Sequence, residues 1–310
     1  MSKHSPIAPD PQGPGRPKGA RGPSLVERAA NVYDFAAGLR GSGITTSAPT
    51  IPTPKAAATT AFHGSWEGSV PMERFGQVAM DDLRAGGFVL PDASPSAISE
   101  EFRIVKRQLL RSADEVTNGR TILVSSAHPD DGKTFCAVNL ALSLAAEKDV
   151  EVVLIDADVA KPEILSTLGL EAGPGLIDAI TDESVNVEAC LIRTDIPGLI
   201  VLPAGRHTNE ATELLASDRT RQVLEQLRGR DARRIVLFDS PPALAASPAS
   251  VLAMHCGQLL FVVRAERTGE ADLREALGLL SACPRAQLLL NGVEFGGSHR
   301  RFGRYYGIDG

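Results

Sequence analysis

A chain of 310 residues, 43% hydrophobic and 23% charged, holds enough material for one sizeable α/β domain with additional segments. Its net charge of −6 argues against general nucleic-acid binding, and its four cysteines and six scattered histidines follow no metal-ligand or C-x-x-C spacing. No run of 18 apolar residues and no apolar N-terminal core occurs, so the sequence predicts a cytoplasmic protein without a membrane span or signal peptide, its cysteines reduced and mostly buried.

In chain order, residues 1 to about 23 are rich in Pro, Gly and basic side chains, and residues 41 to about 72 in Ser, Thr, Ala, Gly and Pro. Neither stretch has helical or strand periodicity, so residues 1–96 read as a largely disordered N-terminal region. A short helix near 24–40 interrupts it. Ser24 and Glu27 form a capping-box pattern, and Leu25, Ala29, Val32 and Ala36 share one face beside Tyr33. Packing on its own domain and docking to a partner fit that helix equally. A charged amphipathic helix follows from Ser99 to about Arg111, with Phe102, Val105, Leu109 and Leu110 apolar.

Strands are predicted near 121–126, 151–156, 199–203, 235–239, 258–263 and 286–290. Helices are predicted near 134–147, 211–228, 248–254 and 269–281. The alternation implies an α/β fold, a doubly wound and mainly parallel sheet with right-handed crossovers, over a domain of 97–294. Residues 295–310 read as a flexible tail carrying Tyr305 and Tyr306.

The first of those strands runs directly into Ala127-His128-Pro129-Asp130-Asp131-Gly132-Lys133-Thr134. This is the phosphate-loop pattern GxxxxGK[ST] with alanine in the first glycine place, set between a strand and an apolar helix. Loop and helix N–H groups attract anions, Lys133 adds a point charge, and the Thr134 hydroxyl is a magnesium ligand type. Two further apolar strands end in carboxylates: Val152-Val153-Leu154-Ile155-Asp156-Ala157-Asp158 and Ile235-Val236-Leu237-Phe238-Asp239. Ligands of parallel sheets bind at the carboxyl ends of strands, so Lys133, Asp156, Asp158 and Asp239 are expected to meet in one crevice. The fold expected is that of a P-loop NTPase.

These motifs, with Glu100-Glu101-Phe102-Arg103-Ile104-Val105-Lys106-Arg107, Leu202-Pro203-Ala204-Gly205-Arg206 and Ala211-Thr212-Glu213-Leu214-Leu215-Ala216-Ser217, resemble the bacterial tyrosine kinases of exopolysaccharide synthesis. The branch resembled is the autokinase linked to exosortase systems. The resemblance spans roughly 97–292 and implies an ATP- and Mg²⁺-dependent, autophosphorylating protein tyrosine kinase that regulates polysaccharide chain length or export. It implies that Pro129, Asp130, Asp131, Gly132, Lys133, Thr134, Phe135 and Asn291 hold the nucleotide, with Asn291 placed for the adenine edge or serving only as a turn residue. It further implies that Thr134, Asp158 and Asp239 hold magnesium directly or through water, and that Asp156 takes or orients the tyrosine proton. Glu100, Arg103 and Lys106 would match the family's E-x-x-R-x-x-R subunit-contact helix, with lysine in the last basic place. A homo-oligomer is implied, together with a separate membrane chain-length protein as activator that brings the kinase to the inner membrane.

Two departures stand out. The family's tyrosine-rich tail is reduced here to Tyr305 and Tyr306, among three tyrosines in all. Partition and septum-siting ATPases of the same fold carry a second loop lysine where this chain has His128, which reads as a loop-shape residue. An ATPase switch of that type and a nearly inactive nucleotide-binding scaffold remain as alternatives.

Overall fold

The computed structural model describes residues 74–91, 96–229 and 233–293. Six of its strands were predicted from sequence: β2 (Thr121–Ser126), β3 (Glu151–Asp156), β5 (Leu199–Leu202), β6 (Arg234–Asp239), β7 (Gln258–Arg264) and β8 (Arg285–Asn291). Two three-residue strands, β1 (Arg74–Gly76) and β4 (Ile192–Thr194), were not. Together they form one sheet in the order β1-β4-β5-β3-β6-β2-β7-β8. All neighbours run parallel except β4 and β5, which are antiparallel, so the β1–β4 pair runs against the rest.

Continuous apolar runs make the central strands because both sheet faces are covered. Along β2 every residue is buried, and its side chains alternate between two cores. Ile122 and Val124 join Val152, Leu154, Ile235, Leu237, Leu260 and Val262 on one face. Leu123 joins Val153, Ile155, Val236, Phe238 and Phe261 on the other.

The first face is covered by helix α1 (Met80–Ala85), helix α2 (Ala97–Ala113) and helix α3 (Lys133–Ala145). Helix α3 is buried almost all round, as an apolar helix must be when a second helix covers its outer side. Helix α2 starts with a reciprocal cap: the Ser99 N–H donates to Ser96 Oγ, and the Ser96 N–H donates to Ser99 Oγ. Its Lys106 is buried and donates to the carbonyl of Ser143 in the last turn of α3, at 2.7 Å, while pairing with Glu147 at 2.8 Å. An ammonium group there meets an otherwise unmet carbonyl and the negative end of the helix.

Helix α4 (Ile164–Leu168) also packs in the first core through Ile164 and Leu168, and the second face carries α5 (Leu176–Thr181), α6 (Val187–Cys190), α7 (Ala211–Leu215), α8 (Asp218–Arg228), α9 (Pro248–Ala253) and α10 (Glu270–Leu279). The single helix expected over 211–228 is two. Ser217 is extended and its Oγ accepts the Thr220 N–H, which caps a new helix rather than continuing the old one.

The sequence reading starts this domain at residue 97, but residues 74–91 already belong to it. β1 pairs with β4, and Val78, Leu83 and Val89 are buried in the first core. The Val89 N–H donates to Asn139 Oδ1 of α3 at 2.6 Å. The helix near 24–40, Tyr33, the tail 295–310 with Tyr305 and Tyr306, and the linker at 41–72 lie outside the described residues. All four cysteines are free and buried. Among the described residues no helix is long and apolar enough to cross a membrane.

Candidate nucleotide site at the phosphate loop

The loop from Ala127 to Gly132 joins the end of β2 to the start of α3. Two of its residues have left-handed backbones, Asp130 at φ 63° and Gly132 at φ 94°. Aspartate tolerates that region, and Gly132 has a second reason to be glycine: a Cβ would collide with Asn291 Nδ2. Left-handed residues in a short loop curve the chain so that successive N–H groups face a common concavity. Among the described residues, no acceptor takes the N–H of Asp130 or of Gly132.

Three of the loop's carbonyls, by contrast, are held by side chains. Ser126 Oγ donates to the His128 carbonyl at 2.8 Å, Arg267 Nη2 to the Pro129 carbonyl at 3.4 Å, and Asn291 Nδ2 to the Asp131 carbonyl at 2.9 Å. The His128 N–H donates to Asp131 Oδ2 at 2.9 Å, and its imidazole Nε2 sits 3.0 Å from Asp272 Oδ2 on α10. His128 thus shapes the loop, as expected. Arg267 and Asp272 follow β7, and no sequence pattern announced either.

On the other side of the loop stand the carboxylates. Asp156 and Asp239 end β3 and β6 in direct register, so they share one face of the sheet. Asp158 lies just beyond, with Lys133 Nζ 3.0 Å from its Oδ2 in a largely buried pair. The four predicted charges therefore do meet. Asp156 Oδ2 accepts the Ile164 N–H at 3.0 Å, and Asp158 Oδ1 accepts the Lys161 N–H at 3.2 Å. Among the described residues, Asp156 Oδ1 and both oxygens of Asp239 are buried without a hydrogen bond of standard geometry, although the Thr134 hydroxyl lies near Asp239.

Burial pushes the Asp239 carboxyl up to about 7, against the pull of Lys133 and the Thr134 hydroxyl and with the push of Asp156 and Asp158. Burial likewise raises Asp156 to about 7, with the Ile164 N–H and Lys133 opposing and Asp158 adding to the rise. The Cys136 thiol in the first turn of α3 is pushed to about 12 by burial and by Asp239, so it is no nucleophile at neutral pH.

The unpartnered oxygens fit magnesium, a hard cation that takes oxygen donors and keeps waters and phosphate oxygens in its shell. Among the described residues no three acidic, His or Cys side chains make a self-sufficient metal set. A magnesium ion would therefore rely on Asp239, Asp158 and Thr134 together with the nucleotide.

Other predicted residues fall elsewhere. The Phe135 ring packs on Phe88, centroids 4.8 Å apart, and is half-buried beside Asn291. The Asn291 amide nitrogen is committed to the loop. On α2, Glu100 and Arg103 pair with each other at the surface, whereas Lys106 is buried against α3.

Residues 119–270 match the AAA domain family. Over 231 residues the chain is 28% identical to the putative tyrosine-protein kinase EpsB of Ralstonia nicotianae, covering 72% of this chain and 30% of that one. Over 212 residues it is 28% identical to the tyrosine-protein kinase YwqD of Bacillus subtilis, covering 67% of this chain and 86% of that one. The solved BceF tyrosine kinase domain superimposes with a TM-score of 0.58 at 26% identity, covering 72% of this chain and 93% of that domain. The homologues are thus bacterial tyrosine-protein kinases, and the chain spans 30% of the length of the Ralstonia relative.

Proposed function

We propose that this homologue of bacterial tyrosine-protein kinases is an ATP-dependent protein tyrosine kinase that phosphorylates copies of itself and regulates exopolysaccharide chain length or export. The meeting of Lys133, Asp156, Asp158 and Asp239 beside a loop with unmet N–H groups carries this reading. Phosphoryl transfer asks for positioning and charge neutralisation more than for covalent help.

In this reading the loop amides bind the β and γ phosphates, and Lys133 leaves Asp158 to join them. Magnesium, when bound, neutralises charge on the transferring group. The tyrosine oxygen forms a bond to the γ phosphorus as the bond to the bridging oxygen breaks, and ADP leaves with that electron pair. The phenolic proton passes to Asp156 Oδ1, a buried oxygen with no hydrogen-bond partner among the described residues. A carboxyl raised to about 7 is a better proton acceptor near neutral pH than an ordinary one. Tyr305 and Tyr306 are the acceptors we assign, delivered from a neighbouring copy, with a membrane chain-length protein as activating partner.

Incubation with ATP and magnesium followed by mass spectrometry tests this. Phosphotyrosine at Tyr305 or Tyr306, lost in Asp156→Asn, supports the reading. Phosphate release without phosphotyrosine replaces it with an ATPase switch, and neither product replaces it with a binding scaffold.

A further inference from the structure

The Asn291 side chain donates to a backbone carbonyl of the phosphate loop. Asn291 ends β8, directly beside Arg264 of β7, and its amide nitrogen lies 2.9 Å from the Asp131 carbonyl oxygen. In a trans peptide unit the C=O and the next N–H point in opposite directions. A donor that holds the Asp131 carbonyl on the β8 side therefore turns the Gly132 N–H away from β8. Arg267 does the same two units earlier, holding the Pro129 carbonyl at 3.4 Å and so orienting the Asp130 N–H. Asp130 and Gly132 are the two left-handed residues of the loop, and their N–H groups have no acceptor among the described residues.

We propose that Asn291, assisted by Arg267, is a positioning residue: by holding loop carbonyls from outside it presents the Gly132 and Asp130 N–H groups to the phosphates. This deepens the nucleotide-site reading above and rests on it. It also differs in chemistry from an adenine contact. A base contact distinguishes nucleotides, whereas a loop-shaping contact is felt by any polyphosphate. The two left-handed residues cannot hold the loop by themselves, because each lone residue gains little in that region and a peptide unit can flip when its carbonyl is released.

The experiment measures binding of ATP, GTP and inorganic tripolyphosphate, each with magnesium, to the full chain and to Asn291→Ala, Asn291→Asp and Arg267→Ala. Apo thermal midpoints are recorded alongside. The loss of one net hydrogen bond predicts that Asn291→Ala weakens all three probes alike, by about five- to tenfold. Asn291→Asp sets an acceptor against the carbonyl and weakens all three more. Arg267→Ala, which removes a longer and exposed contact, weakens all three by about twofold. The apo midpoint of Arg267→Ala stays at the wild-type value, which keeps the test independent of folding. Loss of ATP affinity with tripolyphosphate binding unchanged would overturn the proposal in favour of a base contact. Unchanged binding of every probe by both Asn291 variants would overturn it outright. A wild-type chain that binds none of the probes overturns the nucleotide site itself and this inference with it.

Discussion

The two flanks of the phosphate loop differ in how far their hydrogen-bonding capacity is used. On the β7–β8 side every named polar group has a partner: Asn291 and Arg267 on loop carbonyls, Asp272 on His128. On the β3–β6 side three buried carboxylate oxygens have none among the described residues, and two carboxyls are driven up to about 7. Buried polar groups are normally satisfied because leaving one bare costs about 1–3 kcal/mol. The satisfied flank is scaffold, complete without a ligand. The unsatisfied flank, in the function proposed above, is an arrangement whose partners arrive with the substrate.

Lys133→Met breaks this contrast most severely. The sequence alone predicts loss of nucleotide binding with folding untouched. The buried Lys133–Asp158 pair changes that expectation. Nucleotide binding is lost, and apo stability also falls, by about 2 kcal/mol, because Asp158 loses its buried ion-pair partner and Asp156 and Asp239 lose a nearby cation. Isothermal calorimetry and thermal unfolding check the two parts.

Asp239→Asn sharpens the contrast from the other side. The carboxyl is raised from the ordinary 3.8 to about 7, so between those values the folded chain holds a proton that the unfolded chain has released. Stability therefore falls as pH rises through that window. An amide cannot ionise, so the variant shows a flatter profile and an apo form more stable at pH 7.5 by about 2 kcal/mol, roughly 4–8 °C in midpoint. Turnover is lost all the same. A variant less stable than wild type at pH 7.5 would mean that this flank is not held under electrostatic tension.

Lys106→Ala lies at the opposite end of α3. It strands a carbonyl and leaves a partly buried glutamate with Arg107 as its remaining cation, and is expected to cost about 1–2 kcal/mol. Arg103→Ala, three residues away and exposed, changes stability by less than about 0.5 kcal/mol. If α2 joins subunits, sedimentation shows weaker self-association for Arg103→Ala at unchanged ATP affinity. Smallest of all, Asp272→Ala on the satisfied flank weakens ATP binding by about twofold and leaves the midpoint unmoved, since the His128–Asp272 pair is substantially exposed.

What the sequence disclosed follows the same division. Central strands announced themselves because burial on both faces forces unbroken apolar runs, and the acids at their ends stand out against those runs. The outer elements did not. β1 and β4 have three residues each, too few for any period to register, and Phe75 in β1 faces solvent. The break between α7 and α8 hid because Leu215, Val223, Leu224 and Leu227 continue one apolar face across it. In the site, Lys133, Asp156, Asp158 and Asp239 were legible as motif residues. Arg267, Asp272 and the role of Asn291 were not, because they act on loop atoms more than 130 residues away in the chain.

The register of β3 against β6 also has a consequence for synthesis on the ribosome. Those strands lie 83 residues apart in the chain, and both neighbours of β2 come after residue 233. Pairings at such separations form late, because a long loop must close before any contact rewards it. Asp156 therefore acquires its neighbour Asp239, and the phosphate loop its outer hold, only when nearly the whole described chain has been made. Until then β2 is an apolar ribbon with both edges open, and a nascent chain halted before β6 exposes an aggregation-prone strand rather than a half-built enzyme.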